Sequence, residues 1–153
     1  FVGYNVIGYR LIGGNVRTIG LGRNNEPWKV GVENPDTERQ DEIPHIEYLK
    51  ISDMSLVTSG CYQRFYEVNG KSYHHIIDPE TLMPGDKYLS VSVLTKDSGL
   101  GDALSTSLFL MSIEDGKKII ESLENVEVMW VMLDGEQIYT DGFKNYTFEY
   151  ENK

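Results

Sequence analysis

The sequence predicts an α+β fold carried mostly by antiparallel sheet. Three observations lead there. Strand-like stretches far outnumber helical ones, the two helical stretches sit side by side between Gly101 and Leu123, and the turn signals Asn69-Gly70 and Asp134-Gly135 tie neighbouring strands into hairpins. With 153 residues the chain suits a single domain, 1–153. At that size a fold buries roughly 68–70% of the surface its unfolded chain exposes.

Element by element, Val2–Leu21 reads as strand-forming sequence broken at Gly13-Gly14, and Trp28–Glu33 as another strand. The acidic, proline-containing run Glu33 to His45 reads as a solvated loop. Ile46–Ser52 and Ser55–Thr58 follow as strands separated by Asp53. Arg64–Val68 and Lys71–Ile77 flank Asn69-Gly70, and a Pro/Gly-rich loop, Asp78–Lys87, leads to the strand Tyr88–Thr95. Gly101–Met111 has helical character. Ser112 followed three residues later by Asp115 resembles a capping box, opening a second helix through Leu123. Val126–Leu133 and Gln137–Tyr139 form the second hairpin, and the aromatic tail Phe143–Tyr150 reads as a last strand.

The hydrophobic fraction of 40% and charged fraction of 25% are ordinary globular values. Fourteen basic residues against 24 acidic give a net charge of −10, which repels phosphate backbones and argues against nucleic-acid binding as the main task. A phosphate ligand accompanied by a divalent cation stays compatible with that charge. A single cysteine, Cys61, excludes an internal disulfide framework, and no Cys/His spacing suggests zinc. The longest apolar run, Val128 to Leu133, is too short for a membrane-spanning helix. The opening FVGYNVIGYR has neither a basic start nor a long apolar stretch, and a chain starting at Phe1 is expected to have been processed or cut from something longer.

The densest polar constellation is Tyr73-His74-His75-Ile76-Ile77-Asp78-Pro79. A histidine at a strand end suits proton transfer, and a nearby Asp can orient it; the structural alternative is one exposed and one packed histidine beside an Asp-Pro turn. Asp102 and Thr106 stand at i and i+4, so on a helix a carboxylate and a hydroxyl share one face and can reach one hard cation. The alternative is an Asp favoured near a helix start and an ordinary helical Thr. Thr58-Ser59-Gly60 offers hydroxyls and a close-approach glycine, or simply a strand exit. Gly13-Gly14-Asn15 lacks the third glycine of a dinucleotide fingerprint, Trp28 reads as core, and Cys61 has no basic or histidine neighbour to activate it.

Taken in order, Gly13-Gly14-Asn15, Pro27-Trp28 with Val30-Gly31, Thr58-Ser59-Gly60 with Tyr62, Tyr73 with His75-Ile76-Ile77-Asp78-Pro79 and Thr81, and Asp102-Ala103 with Thr106 resemble the ApbE family of FAD:protein FMN transferases. The resemblance runs from about residue 8 to 140, and HIIDP-x-T followed by DA-x-x-T is its specific part. It implies a fold of two tandem T-fold-like α+β halves, of which this chain matches the C-terminal one, with most FAD contacts in the absent N-terminal half. It implies magnesium-dependent transfer of FMN from FAD to a Thr or Ser hydroxyl of a target flavoprotein, releasing AMP. Alternatives are a magnesium-dependent FAD pyrophosphatase and a flavin carrier without turnover. Carried over, Asp102 and Thr106 become metal ligands with Ser105 a third candidate, His75 becomes the catalytic base, and Thr58, Ser59, Gly60, His75, Ile76 and Asp78 line the flavin nucleotide. The family is commonly exported and lipid-anchored, so an extracytoplasmic or periplasmic location is expected, with an anchor other than mid-chain Cys61. The chain departs from the usual pattern at Leu11-Ile12 and at Leu82-Met83.

Overall fold

The computed structural model describes residues 8–12, 14–62 and 64–150. Strands β1 (Gly8–Ile12) and β2 (Asn15–Ile19) form the first hairpin. The Val2–Ile7 part of the expected first strand, and Gly13 of the turn, lie outside the described residues; Gly14 takes a φ of 88°, a conformation suited to glycine. Strands β3 (Trp28–Glu33) and β4 (His45–Ile51) pair as a separate ribbon around the acidic loop. β5 (Ser55–Gly60) follows, then the hairpin β6 (Phe65–Val68) and β7 (Lys71–His74), whose turn residues Asn69 and Gly70 have φ of 52° and 74°. The paired positive φ values are the mirror-image turn that Asn-Gly favours. After β8 (Tyr88–Thr95) come helices α1 (Ser98–Leu110) and α2 (Ile113–Glu121), then β9 (Val126–Met132) and β10 (Gln137–Tyr139).

Six strands make one antiparallel sheet in the order β1-β2-β5-β8-β9-β10. Both faces are covered. Val91, Val93, Val128 and Trp130 pack against Leu108, Phe109 and Ile120 of the helices. Leu56, Leu94, Met129 and Val131 pack on the other face against Val32, Leu49 and Ile51 of the β3–β4 ribbon and against Phe143. The mostly antiparallel α+β architecture with two clustered helices is therefore as expected from the sequence.

Several boundaries differ. β5 continues through Gly60 instead of leaving the sheet at Thr58, because β8 pairs with it as far as Ser90. β7 stops at His74, three residues before Ile77, since the chain turns there to bury Ile76. Helix α1 begins three residues before Gly101: the Asp97 side chain accepts N–H bonds from Gly99 (2.8 Å) and Leu100 (3.1 Å), a cap that outweighs the two early glycines. In α2 the expected cap holds, with Asp115 N–H donating to Ser112 Oγ at 3.1 Å. The tail is not a strand. Phe143–Tyr146 is a 3-10 turn, followed by a lone bridge from Thr147 to Leu49, and the Phe148 ring lies under the ammonium groups of Lys29 (5.4 Å) and Lys50 (4.9 Å). Aromatic side chains here cover the ribbon's outer face instead of extending a ladder.

Candidate functional site

Helix α1 presents the first half of the site. It can lie tight on the sheet because residue 101 is glycine: a Cβ there would come within 2.9 Å of Val57 Cγ2 and 3.0 Å of Thr95 Cγ2. Its next turn then places Ser105, fully buried, against β5. Side chains of β5 alternate, so Ser59 points at α1 and its Oγ lies 2.8 Å from Ser105 Oγ and 3.2 Å from Thr106 Oγ1. Ser105 Oγ also donates to the Asp102 carbonyl at 3.1 Å. Asp102 and Thr106 are exposed on the outer side of this cluster. From β2, which pairs with β5 through Asn15 and Val57, the Asn15 amide Nδ2 donates to Asp102 Oδ1 at 3.2 Å. Asn15 is thus a site residue that reading by glycine count passed over; its signal was its place directly after the Gly-Gly turn.

The second half is the loop after β7, where the two histidines take separate tasks. His74 is buried: Ile76 N–H donates to its Nδ1 (3.3 Å), so the ring proton sits on Nε2 and donates to the Gly85 carbonyl at 2.7 Å. Its ring meets Phe109 edge-on at 5.5 Å. His75 is exposed, with Nδ1 3.3 Å from the Arg64 carbonyl. Only a protonated Nδ1 can bond a carbonyl, so in the neutral ring it is Nε2 that carries the lone pair able to accept a proton. Asp78 is engaged with its own loop. Its Oδ1 accepts from Glu80 N–H at 2.8 Å and its carbonyl accepts from Leu82 N–H at 2.8 Å, where Leu82 has a φ of 57°. Ile76 is buried among the helix-side core residues.

One helix serves both halves. Its middle turns carry Asp102, Ser105 and Thr106, while Phe109 and Leu110 on its last turn seat the histidine loop; a Cβ on Gly85 would come within 2.9 Å of Leu110 Cδ2. The sequence-predicted residues are not all gathered here. Thr58 points to the other face of the sheet, where its Oγ1 pairs with Ser92 Oγ at 2.8 Å. Gly60 ends the strand beneath the Tyr62 ring, which a Cβ would meet at 2.5 Å. A cavity of about 840 Å³ between the acidic loop and the β9–β10 turn contains none of the predicted residues. Its lining sets the carboxylates of Asp36, Glu38, Glu67 and Asp134 against Arg39 and His45, a poor setting for a phosphate ligand.

The donors of the α1 cluster are hard oxygens, one carboxylate and one hydroxyl a helical turn apart. They suit magnesium, which commonly takes one or two carboxylates and completes its shell with water and substrate phosphates. Among the described residues no group of three His, Cys, Asp or Glu side chains forms a metal cluster, so a closed all-protein cage of those ligands is not present there. Cys61 is half-buried, and loss of solvation pushes its thiol pKa up, so it is a poor nucleophile.

The ApbE family profile matches residues 11–130. The chain belongs to the ApbE family. It is 35% identical over 136 residues to the FAD:protein FMN transferase of Vibrio cholerae, covering 88% of this chain and 38% of that protein. The same-named protein of Treponema pallidum is 34% identical over 134 residues, covering 87% and 36% respectively. Among solved structures, the ApbE protein of Thermotoga maritima superposes with a TM-score of 0.82 at 32% identity, over 95% of this chain and 46% of that one. The flavin transferase ApbE of Vibrio cholerae gives 0.68 at 31% identity, over 88% and 42%. The chain thus spans little more than a third of the length of these curated relatives.

Proposed function

We propose that the full-length protein carrying this chain is an FAD:protein FMN transferase. The observation that carries the reading is the shared helix: α1 holds the Asp102–Thr106 oxygen pair along its middle turns and seats the His75 loop on its last turn. The names of the Vibrio cholerae and Treponema pallidum relatives support the same chemistry. In this reading the Nε2 of His75 takes the proton of an acceptor Thr or Ser hydroxyl. The hydroxyl oxygen attacks the phosphorus on the FMN side of FAD, the pyrophosphate bond breaks, and AMP leaves. Asp102 and Thr106 would hold magnesium, which when bound neutralises charge on the transferring phosphoryl group. The end of β5 at Ser59-Gly60 and the loop Ile76–Asp78 would line the nucleotide, with Thr58 supporting them from the opposite face of the sheet. Remaining FAD contacts would come from an N-terminal half, and the location consistent with the family is extracytoplasmic on a lipid anchor.

The test is to incubate full-length protein with FAD, magnesium and a candidate acceptor flavoprotein and to weigh the acceptor. A gain of one FMN supports transfer. Free FMN plus AMP with an unmodified acceptor replaces transfer by FAD hydrolysis, and intact FAD leaves only a carrier.

A further inference from the structure

Three hydroxyls and one carbonyl in the α1 cluster form an unbroken chain of contacts: Thr106 to Ser59 at 3.2 Å, Ser59 to Ser105 at 2.8 Å, and Ser105 to the Asp102 carbonyl at 3.1 Å. Each hydroxyl has a single proton, and a carbonyl only accepts. Ser105 must therefore donate to Asp102. Its proton being used, Ser105 accepts from Ser59, and Ser59 in turn accepts from Thr106. No other assignment makes all three bonds at once. The order of the protons follows from the one member that cannot donate.

The consequence falls on Thr106. Its proton is drawn inward to Ser59, so its lone pairs are directed away from the protein, on the exposed side shared with Asp102. Asn15, donating to Asp102 Oδ1 at 3.2 Å, holds the neighbouring carboxylate. Left alone, a threonine hydroxyl is a free rotor that must be ordered before its lone pairs face a cation, and a hydroxyl already held in that orientation avoids the cost. Hydrogen bonds in such a chain also polarise one another, which makes the outermost oxygen a better donor to a cation.

We infer that Ser59 and Ser105 are positioning residues that fix Thr106 as a lone-pair donor to the cation, Ser105 acting from its buried position through Ser59 and not as a ligand. The inference rests on the reading of Asp102 and Thr106 as the cation site. It makes an unusual demand: removing Ser105 frees the Ser59 proton to turn toward Thr106 and occupy one of its lone pairs, so a residue that does not touch the ion weakens its binding.

The experiment titrates Mn²⁺ into the full-length protein with FAD present and follows bound ion by electron paramagnetic resonance, with thermal unfolding recorded for every variant. Asp102→Ala should abolish specific Mn²⁺ binding. Ser59→Ala and Ser105→Ala should each weaken it by about 10-fold, the scale seen when groups supporting metal ligands are removed. The double variant should be no weaker than either single, and Ser59→Thr, which keeps a hydroxyl, should restore affinity. If the wild type binds no Mn²⁺, or Asp102→Ala still binds it, the cation-site reading fails. If Asp102→Ala loses the ion while Ser59→Ala and Ser105→Ala bind like wild type, the positioning inference fails alone. A larger loss in Ser105→Ala than in Ser59→Ala, adding in the double variant, makes Ser105 a ligand and overturns the inference as well.

Discussion

Thr58 and Ser59 are chemical near-twins one residue apart, yet β5 sends them to opposite faces of the same sheet. On the ribbon face Thr58 meets Ser92, and one hydroxyl donates to the other over a core of Leu56, Leu94 and Met129. On the helix face Ser59 joins a chain that runs from the Asp102 carbonyl, through the buried Ser105, to the exposed hydroxyl of Thr106. One polar contact is closed and the other open-ended. The difference teaches where a hydroxyl can do chemistry: an isolated pair whose donor and acceptor can exchange has no direction to impose on a ligand, whereas a chain anchored on a carbonyl and ending at the surface transmits one outward. The helix face gains its polar cluster through Gly101, which lets α1 approach; the ribbon face is sealed by strands and by Phe143.

The comparison breaks most visibly at the histidines, which repeat it two strands later, at the end of β7. His75→Ala in the full-length protein should lower the rate of FMN transfer by about 10²–10⁴-fold, the usual contribution of a general base, with FAD affinity little changed. His74→Ala should act on stability instead. It removes partners from the Ile76 N–H and Gly85 carbonyl, which costs about 1–3 kcal/mol by thermal or denaturant unfolding, with turnover per folded molecule near wild type. A greater rate loss in His74→Ala would exchange the two roles.

A smaller effect sharpens the sheet itself. Thr58→Val keeps the shape but leaves Ser92 without its partner, and should destabilise by about 1 kcal/mol while leaving Mn²⁺ affinity unchanged. A loss of ion binding comparable to that of Ser59→Ala would show that the two faces are coupled.

The smallest effect belongs to the ribbon face at high pH. Tyr139 packs there beside Phe143, and burial, the negative charge of Glu47 and the hydrogen bond its hydroxyl donates to Glu47 push its pKa up to about 12. The unfolded chain then ionises first, near 10. Stability from this group is fully present below pH 10 and is lost as pH rises toward about 12. Tyr139→Phe should flatten that part of the stability profile, and absorbance titration should show one phenol ionising late. A wild-type profile already flat across that window would remove Tyr139 from the account.

Much of the fold was legible in the sequence because it depends on local rules. Asn69-Gly70 sets its hairpin by backbone conformation, and Ser112 with Asp115 starts α2 through bonds three residues apart. The i, i+4 spacing likewise placed Asp102 and Thr106 on one helical face before any packing was known. The start of α1 at Ser98, capped by Asp97, was obscured by Gly99 and Gly101. Gly101 is explained only by what touches it, Val57 and Thr95, residues distant in the chain.

The sequence by itself thus determined the element types outside the aromatic tail, the two hairpins, the second helix and the family likeness, since each rests on neighbours within a few residues or on a linear motif. The tertiary structure alone decided which histidine is buried, that the aromatic tail lies across Lys29 and Lys50, that Asn15 reaches Asp102 across 87 positions, and that Ser59 and not Thr58 meets the helix. The physical reason is common to all four. A hydrogen-bonding or aromatic group can be satisfied by many partners, and which one it obtains depends on how strands register and on which face of the sheet the alternating backbone turns it toward.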